Sequence, residues 1–224
     1  MNPFALILLL FLSFGSQLFA DVIISNAEEI IQSVQEGKIP LVPVQLDSKY
    51  ERVEKNLEVS VVNKDMLKGL FKEIKNSKFY LQYHTYVGGC ESRALKIAKM
   101  LDNMSIKSIK VFVRGPRYYH GVEWPFHVAS VVFMVVNNEI QAFAIDPTIN
   151  DNEPIPMSRW YSAIGKKYDD PSYFTNRFVF LFKHIPLAES LHDYRLEDEG
   201  AAEGQLLFLK GLPANGKLFG IIPL

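Results

Sequence analysis

The stretch from Tyr86 to Leu101, YVGGCESRALKIAKML, holds the only cysteine of the chain. Cys90 follows two glycines and opens a segment in which Ala94, Leu95, Ile97, Ala98 and Leu101 recur at helical spacing. A sulfur at a helix N-terminus meets free N–H groups and partial positive charge, which favour the thiolate. Gly88 and Gly89 let the backbone come close at that point. The chemistry open to such a thiol is attack on a carbonyl carbon. It then needs a histidine to carry the proton and an acceptor to orient the histidine. The plain alternative is a buried, inert cysteine.

Five histidines could serve: His84, His120, His127, His184 and His192. His127 opens HVASVVFMVV, an almost wholly apolar run of the kind found in a central strand covered on both faces. Asn137–Asn138 is a hairpin turn signal, and EIQAFAI returns from it toward Asp146. A two-residue turn there pairs positions whose numbers sum to 275, which sets His127 across from Thr148 and Asp146 across from Ala129. The two side chains then leave the same face as diagonal neighbours; a turn shifted one residue back makes the sum 273 and sets them directly opposite, and either way their bases are roughly 5–8 Å apart. A three-residue turn would put them on opposite faces. Cys90, His127 and Asp146 are therefore the candidate nucleophile, general base and orienting carboxylate. In that arrangement Asp146→Asn is expected to depress turnover by favouring the wrong imidazole tautomer.

These residues need elements to hold them. SNAEEIIQSVQEGK is predicted as a short helix capped by Ser25 or Asn26 and stopped at Gly37. IPLVPVQL and NLEVSVV are predicted strands, the first placed at an edge by Pro40 and Pro43. NKDMLKGLFKEIKN is a second helix, with Met66, Leu67, Leu70, Phe71 and Ile74 on one face. SIKVFVRG and RFVFLFKHI are further strands, DPTINDNEPIP a loop and MSRWYSAIG a short helix. Strands and helices are thus mixed without repeats, which predicts an α+β fold. In it the helix bearing Cys90 packs on an antiparallel sheet bearing His127 and Asp146.

With 224 residues, 48% of them hydrophobic and 12% aromatic, the chain can bury one real core. A formal charge of −1 argues against a nucleic-acid partner, which calls for a basic face. Phe4 to Leu12 is an apolar run too short to anchor in a bilayer but suited to the core of a signal peptide, with Ala20 a cleavage point. Residues 1–20 are read as that leader, leaving no membrane anchor after cleavage and a secreted or periplasmic protein; a buried N-terminal helix is the alternative. In an oxidising compartment an odd cysteine is intermolecular or reactive. A lone cysteine also excludes a Cys-rich structural zinc site. Neither metal nor cofactor is expected.

GCESRA, WPFHVA and AIDPTI, followed by PIPMSRW, resemble in order and spacing the bacterial protein-glutaminases, or protein-glutamine deamidases. The matching residues are Cys90, Arg93 and Ala94; Trp124, His127, Val128 and Ala129; Ile145, Asp146 and Pro147; and Trp160. The resemblance spans roughly residues 75–165 and implies a fold related to transglutaminases and papain-like cysteine enzymes. It implies a Cys90–His127–Asp146 triad that deamidates protein- or peptide-bound glutamine through a thioester. The Cys90 N–H would be one oxyanion donor; neither Gln82 nor His84 is assigned as the second. The resemblance also implies a secreted proenzyme. Residues 76–224 are then the catalytic domain, and 21–75 an N-terminal lobe or a pro-segment lying over the cleft. Trp124 is a candidate cleft wall in contact with substrate, with a core position as its alternative; Arg93 is read as a structural ion-pair partner. A transglutaminase or a papain-like peptidase would use the same three residues. A non-catalytic exported binding module is the remaining alternative.

Overall fold

A computed structural model describes residues 22–23, 26–46, 51–52, 57–77, 89–119, 122–166, 172–176, 202 and 206–207. The apolar run at 4–12, the strand expected at 177–185 and His84, His120, His184, His192 and Gln82 lie outside them.

Among the described residues the chain forms β1 (Val22–Ile23), α1 (Ala27–Gln35), β2 (Leu41–Leu46), β3 (Glu51–Arg52) and β4 (Leu57–Val62), then α2 (Lys64–Asn76) and α3 (Cys90–Asn103). β5 (Ile109–Tyr119), β6 (Val122–Val136), β7 (Glu139–Ile145), β8 (Ile155–Pro156), α4 (Met157–Ala163) and β9 (Ser172–Asn176) follow. The expected helices and the hairpin are all present. Asn63 caps α2 by accepting the Met66 N–H at 2.9 Å. The α1 cap differs from expectation: Asn26 is left-handed, with φ of 61°, and its side chain makes no capping bond.

The sheet is mixed. β6 pairs antiparallel with β5 and β7, while β4 pairs with it in parallel through Val61–Phe133 and Val62–Met134. β7 occupies one edge of β6 from Ser130 to Val136. The other edge is divided between two strands, β5 as far as Val131 and β4 at Phe133 and Met134. The junction is stitched by the Ser60 N–H on the Lys107 carbonyl at 2.8 Å and the Lys107 N–H on Ser60 Oγ at 3.0 Å. β2 carries Pro43 beside β4, and β1 reaches only Gln45 and Leu46 on its far side, so the proline stands where no ladder donor is required.

Alternation along β6 divides the core. Ala129, Val131 and Phe133 pack with α1, β2, β4 and α4 through Ile30, Val42, Val59, Trp160 and Tyr161. Val132 and Met134 pack with α2 and α3 through Leu67, Phe71, Ile97 and Leu101. A smaller group, Ala94, Phe112 and Val128, continues that second layer toward the start of α3, and Cys90 and Phe126 pack against it. The Ser130 hydroxyl donates to the Ala94 carbonyl at 2.9 Å and pins α3 to β6.

Candidate active site

The β6–β7 hairpin turns through Asn137 and Asn138, whose φ values of 51° and 61° are both left-handed. Two positive φ angles in succession give the turn whose twist matches antiparallel strands. Val136 therefore faces Glu139 and Ser130 faces Ile145, pairs that sum to 275. His127 lies within β6 rather than at its start, because the strand begins at Val122. Asp146 is the first residue past β7. Side chains at diagonal positions on one face meet: His127 Nε2 and Asp146 Oδ2 are 2.7 Å apart, both residues buried.

α4 adds a third partner. Trp160, fully buried, donates its indole N–H to the same Asp146 Oδ2 at 2.8 Å. The outer oxygen, Oδ1, accepts the Thr148 N–H at 3.2 Å. An oxygen bound to an indole, which only donates, is an acceptor. Nε2 must therefore carry the proton it shares with Asp146. In neutral imidazole this leaves a lone pair on Nδ1. Nδ1 is buried and has no hydrogen-bond partner. The ring itself is clamped, with Trp124 stacked on it at 4.6 Å between centroids and 15° between planes, and Trp160 at 5.6 Å and 25°.

Burial alone would raise the Asp146 pKa, but the neighbouring His127 charge and hydrogen bond, the Trp160 N–H and the Arg93 charge together hold it below its ordinary value of 3.8. Asp146 is thus an anion suited to stabilising imidazolium.

Cys90 opens α3 after Gly89, whose φ of 75° is left-handed. As the first helical residue, Cys90 has a backbone N–H without a partner inside the helix. The thiol departs from the expectation of an activated thiolate. Burial first, then the adjacent Glu91 carboxylate, push its pKa well above the ordinary 9.0; Arg93 pulls it down and is outweighed, while Asp146 adds to the rise. The thiol donates to Glu91 Oε2 at 3.3 Å rather than to His127. His127, Asp146 and Trp160 are therefore in direct contact, whereas Cys90 lies within reach of the Asp146 and Arg93 charges without a hydrogen bond to the imidazole.

Trp124 is 7% exposed and faces the imidazole. Arg93 is buried, and its charge favours the ionised forms of both Cys90 and Asp146. The Trp160 bond and the Glu91 contact were not foreseen. Trp160 could be noticed only as part of PIPMSRW, since no local spacing sends an α4 side chain back to the strand end. Glu91 carried the weak signal of a carboxylate adjoining Cys90. Among the described residues no group of three His, Cys, Asp or Glu side chains could hold a metal, and no helix is long and apolar enough to cross a membrane.

Residues 67–164, which include this whole constellation, match a family model described as glutaminase. No curated protein matches the chain. Among solved structures, protein-glutaminase from Chryseobacterium proteolyticum is similar at 21% identity and a TM-score of 0.61, over 72% of this chain and 95% of that one. A crystal structure of protein-glutaminase is similar at 20% identity and a TM-score of 0.58, with the same coverage. One of pro-protein-glutaminase is similar at 19% identity and a TM-score of 0.59, over 86% of this chain and 83% of that one. The transglutaminase- and papain-related α+β fold expected from the motifs is thus the fold found. Residues 67–164, which hold Cys90, His127 and Asp146, are thus similar to a glutaminase family model, on a fold shared with solved protein-glutaminases.

Proposed function

We propose that this chain deamidates glutamine side chains of proteins or peptides, with Cys90 as nucleophile, His127 as proton carrier and Asp146 as its anchor. The observation that carries the reading is the buried imidazole whose Nε2 is bound to Asp146 while Nδ1 stands open, in a segment matched by a glutaminase family model.

The steps follow from the proton inventory. The thiol turns from Glu91 toward Nδ1 and gives up its proton as Sγ bonds to the amide carbon. The new oxyanion meets the unpaired Cys90 N–H at the start of α3. His127 passes the proton to the amide nitrogen, the C–N bond breaks and ammonia leaves a thioester. Water then gives a proton to Nδ1 and attacks the same carbon. The C–S bond breaks, releasing glutamate, and the thiol is restored. At each transfer the imidazolium is stabilised by Asp146, and the two indoles prevent the ring from turning away. Trp124 is assigned to holding the imidazole rather than to gripping substrate.

Residues 1–20 are read as an export leader, in keeping with the apolar run at Phe4 to Leu12. Residues 21–75 are read as an N-terminal lobe. The support is that Ile30, Val42, Val59 and Val61 share a core with Val111, Ala129 and Trp160.

The test is ammonia release from a casein-like protein by the native chain and by Cys90→Ala, with mass spectrometry of the product. A Cys90-dependent gain of about 1 Da at glutamines, as amide-to-acid hydrolysis requires, supports the proposal. Lysine cross-links would make the chain a transglutaminase, backbone cuts a peptidase, and no change a binding module.

A further inference from the structure

An acidic residue in the first turn of a helix is ordinary, since it favours the positive end of the helix. Two observations set Glu91 apart. Its Oε2 takes the thiol hydrogen of Cys90 at 3.3 Å, and the buried Nδ1 of His127 is left without a hydrogen-bond partner. We infer that Glu91 is a charge-selecting residue of this site: it holds Cys90 as a neutral thiol and bars anions from the sulfur, so that the site accepts neutral side-chain amides in neutral or basic sequence and expels the carboxylate it makes. The inference rests on Cys90 being the nucleophile of the proposed reaction, and it adds the substrate class to that reading.

The physics is like-charge repulsion at short range. Glu91 stands at the atom where the substrate carbon must arrive. Glutamine brings no charge there, whereas glutamate brings a carboxylate. Two like charges about 6 Å apart near a protein surface repel enough to change an occupancy by tenfold or more. Among the described residues, the other charged groups that act on the thiol are Arg93, on the same helix, and Asp146, just past β7. Arg93 attracts anions and Asp146 repels them. Removing Glu91 shifts the balance toward attraction. The same carboxylate opposes thiolate formation, so the resting sulfur is protected until a neutral amide displaces it from Glu91 toward Nδ1.

Alkylation of the full chain reads this without turnover. Sγ bonds to the reagent carbon, the C–I bond breaks, iodide leaves and the thiol proton passes to solvent. Iodoacetamide is the neutral probe and iodoacetate the anionic one, with the ratio of their rates on free cysteine as reference. At pH 7 the native chain should prefer iodoacetamide at least about tenfold more strongly than free cysteine does. Glu91→Gln should react about tenfold faster with iodoacetamide and lose most of that preference. Glu91→Asp keeps the charge but draws it back by a methylene, and should fall between the two. A Gln variant indistinguishable from the native chain in rate and preference overturns the inference, as does an Asp variant indistinguishable from Gln. Alkylation that follows Glu91 in a chain that releases no ammonia would instead sink the proposed reaction.

Discussion

Replacing Asp146 by Asn tests the site most directly, because Trp160 changes what the substitution should do. In a His–carboxylate pair with no other donor on the shared oxygen, an Asn can turn its NH2 toward the ring. That fixes the wrong tautomer and costs on the order of four decades in turnover. Here the Asp146 oxygen that meets Nε2 also accepts the Trp160 indole N–H at 2.8 Å. Placing an amide NH2 there would oppose donor to donor. The introduced asparagine should therefore keep its oxygen toward His127 and Trp160 and present its NH2 to the Thr148 N–H, which loses its acceptor. The correct tautomer survives and only the charge is lost. Exchanging a charge-assisted bond for a neutral one, with the lost Coulomb attraction, removes about 2–4 kcal/mol of imidazolium stabilisation. That corresponds to a fall of roughly thirty- to a thousandfold in kcat. The orphaned Thr148 N–H costs a further 1–3 kcal/mol or so of fold stability. Trp160→Phe should release the constraint. Asp146→Asn with Trp160→Phe should then fall well below the product of the two single effects, toward the four-decade loss. Ammonia-release kinetics on the four proteins of this cycle decide it. A single Asn variant already four decades down, with strictly additive behaviour in the double, would show that Trp160 does not set the tautomer.

Acid stability should respond to the same residue. Asp146 has a lowered pKa in the folded chain, so its interactions contribute stability above pH 3.8 and lose it as pH falls through the folded value. Denaturant unfolding of the native chain should weaken below about pH 4 more steeply than that of Asp146→Asn. The Cys90 pKa is raised, so the neutral thiol is the form the fold prefers, and stability should decline as pH climbs above 9.0 toward the folded value. Cys90→Ala should flatten that alkaline limb while abolishing ammonia release. Gly89→Ala forces a side chain into φ of 75°, costing roughly 1–2 kcal/mol and displacing Cys90; a lower Tm and reduced turnover together are expected. Asn63→Ala removes the α2 cap and should cost about 1 kcal/mol with no change in kcat.

The sequence disclosed the hairpin because two adjacent asparagines tolerate left-handed φ, which fixes turn length and therefore strand parity. From that parity alone His127 and Asp146 meet. The start of α3 was legible from Gly89 and the apolar spacing after Cys90. What stayed hidden was set by contacts remote along the chain. The parallel pairing of β4 with β6 has no local signal, since parallel partners need no turn between them. The Trp160 bond depends on a loop and a helix folding back over β7. The thiol's protonation depends on burial and on which way Glu91 points, and the helix-end argument counts neither.

The divided edge of β6 bears on how the N-terminal region could be processed. β5 holds the length of β6 from Val122 to Val131, including His127, while β4 holds only Phe133 and Met134. A protease that cut between β2 and β4 would leave every ladder bond beside His127 in place. One that also freed β4 would unzip the strand at its far end, and would bare Val61 and Val62, both fully buried. The first cut spares the site only while β2 and α1 stay docked, because Ile30, Val34, Val42 and Val44 share a buried core with Ala129 and Trp160. The boundary of any segment that can be shed without baring that core is thus expected before Ala27, not at the end of α2.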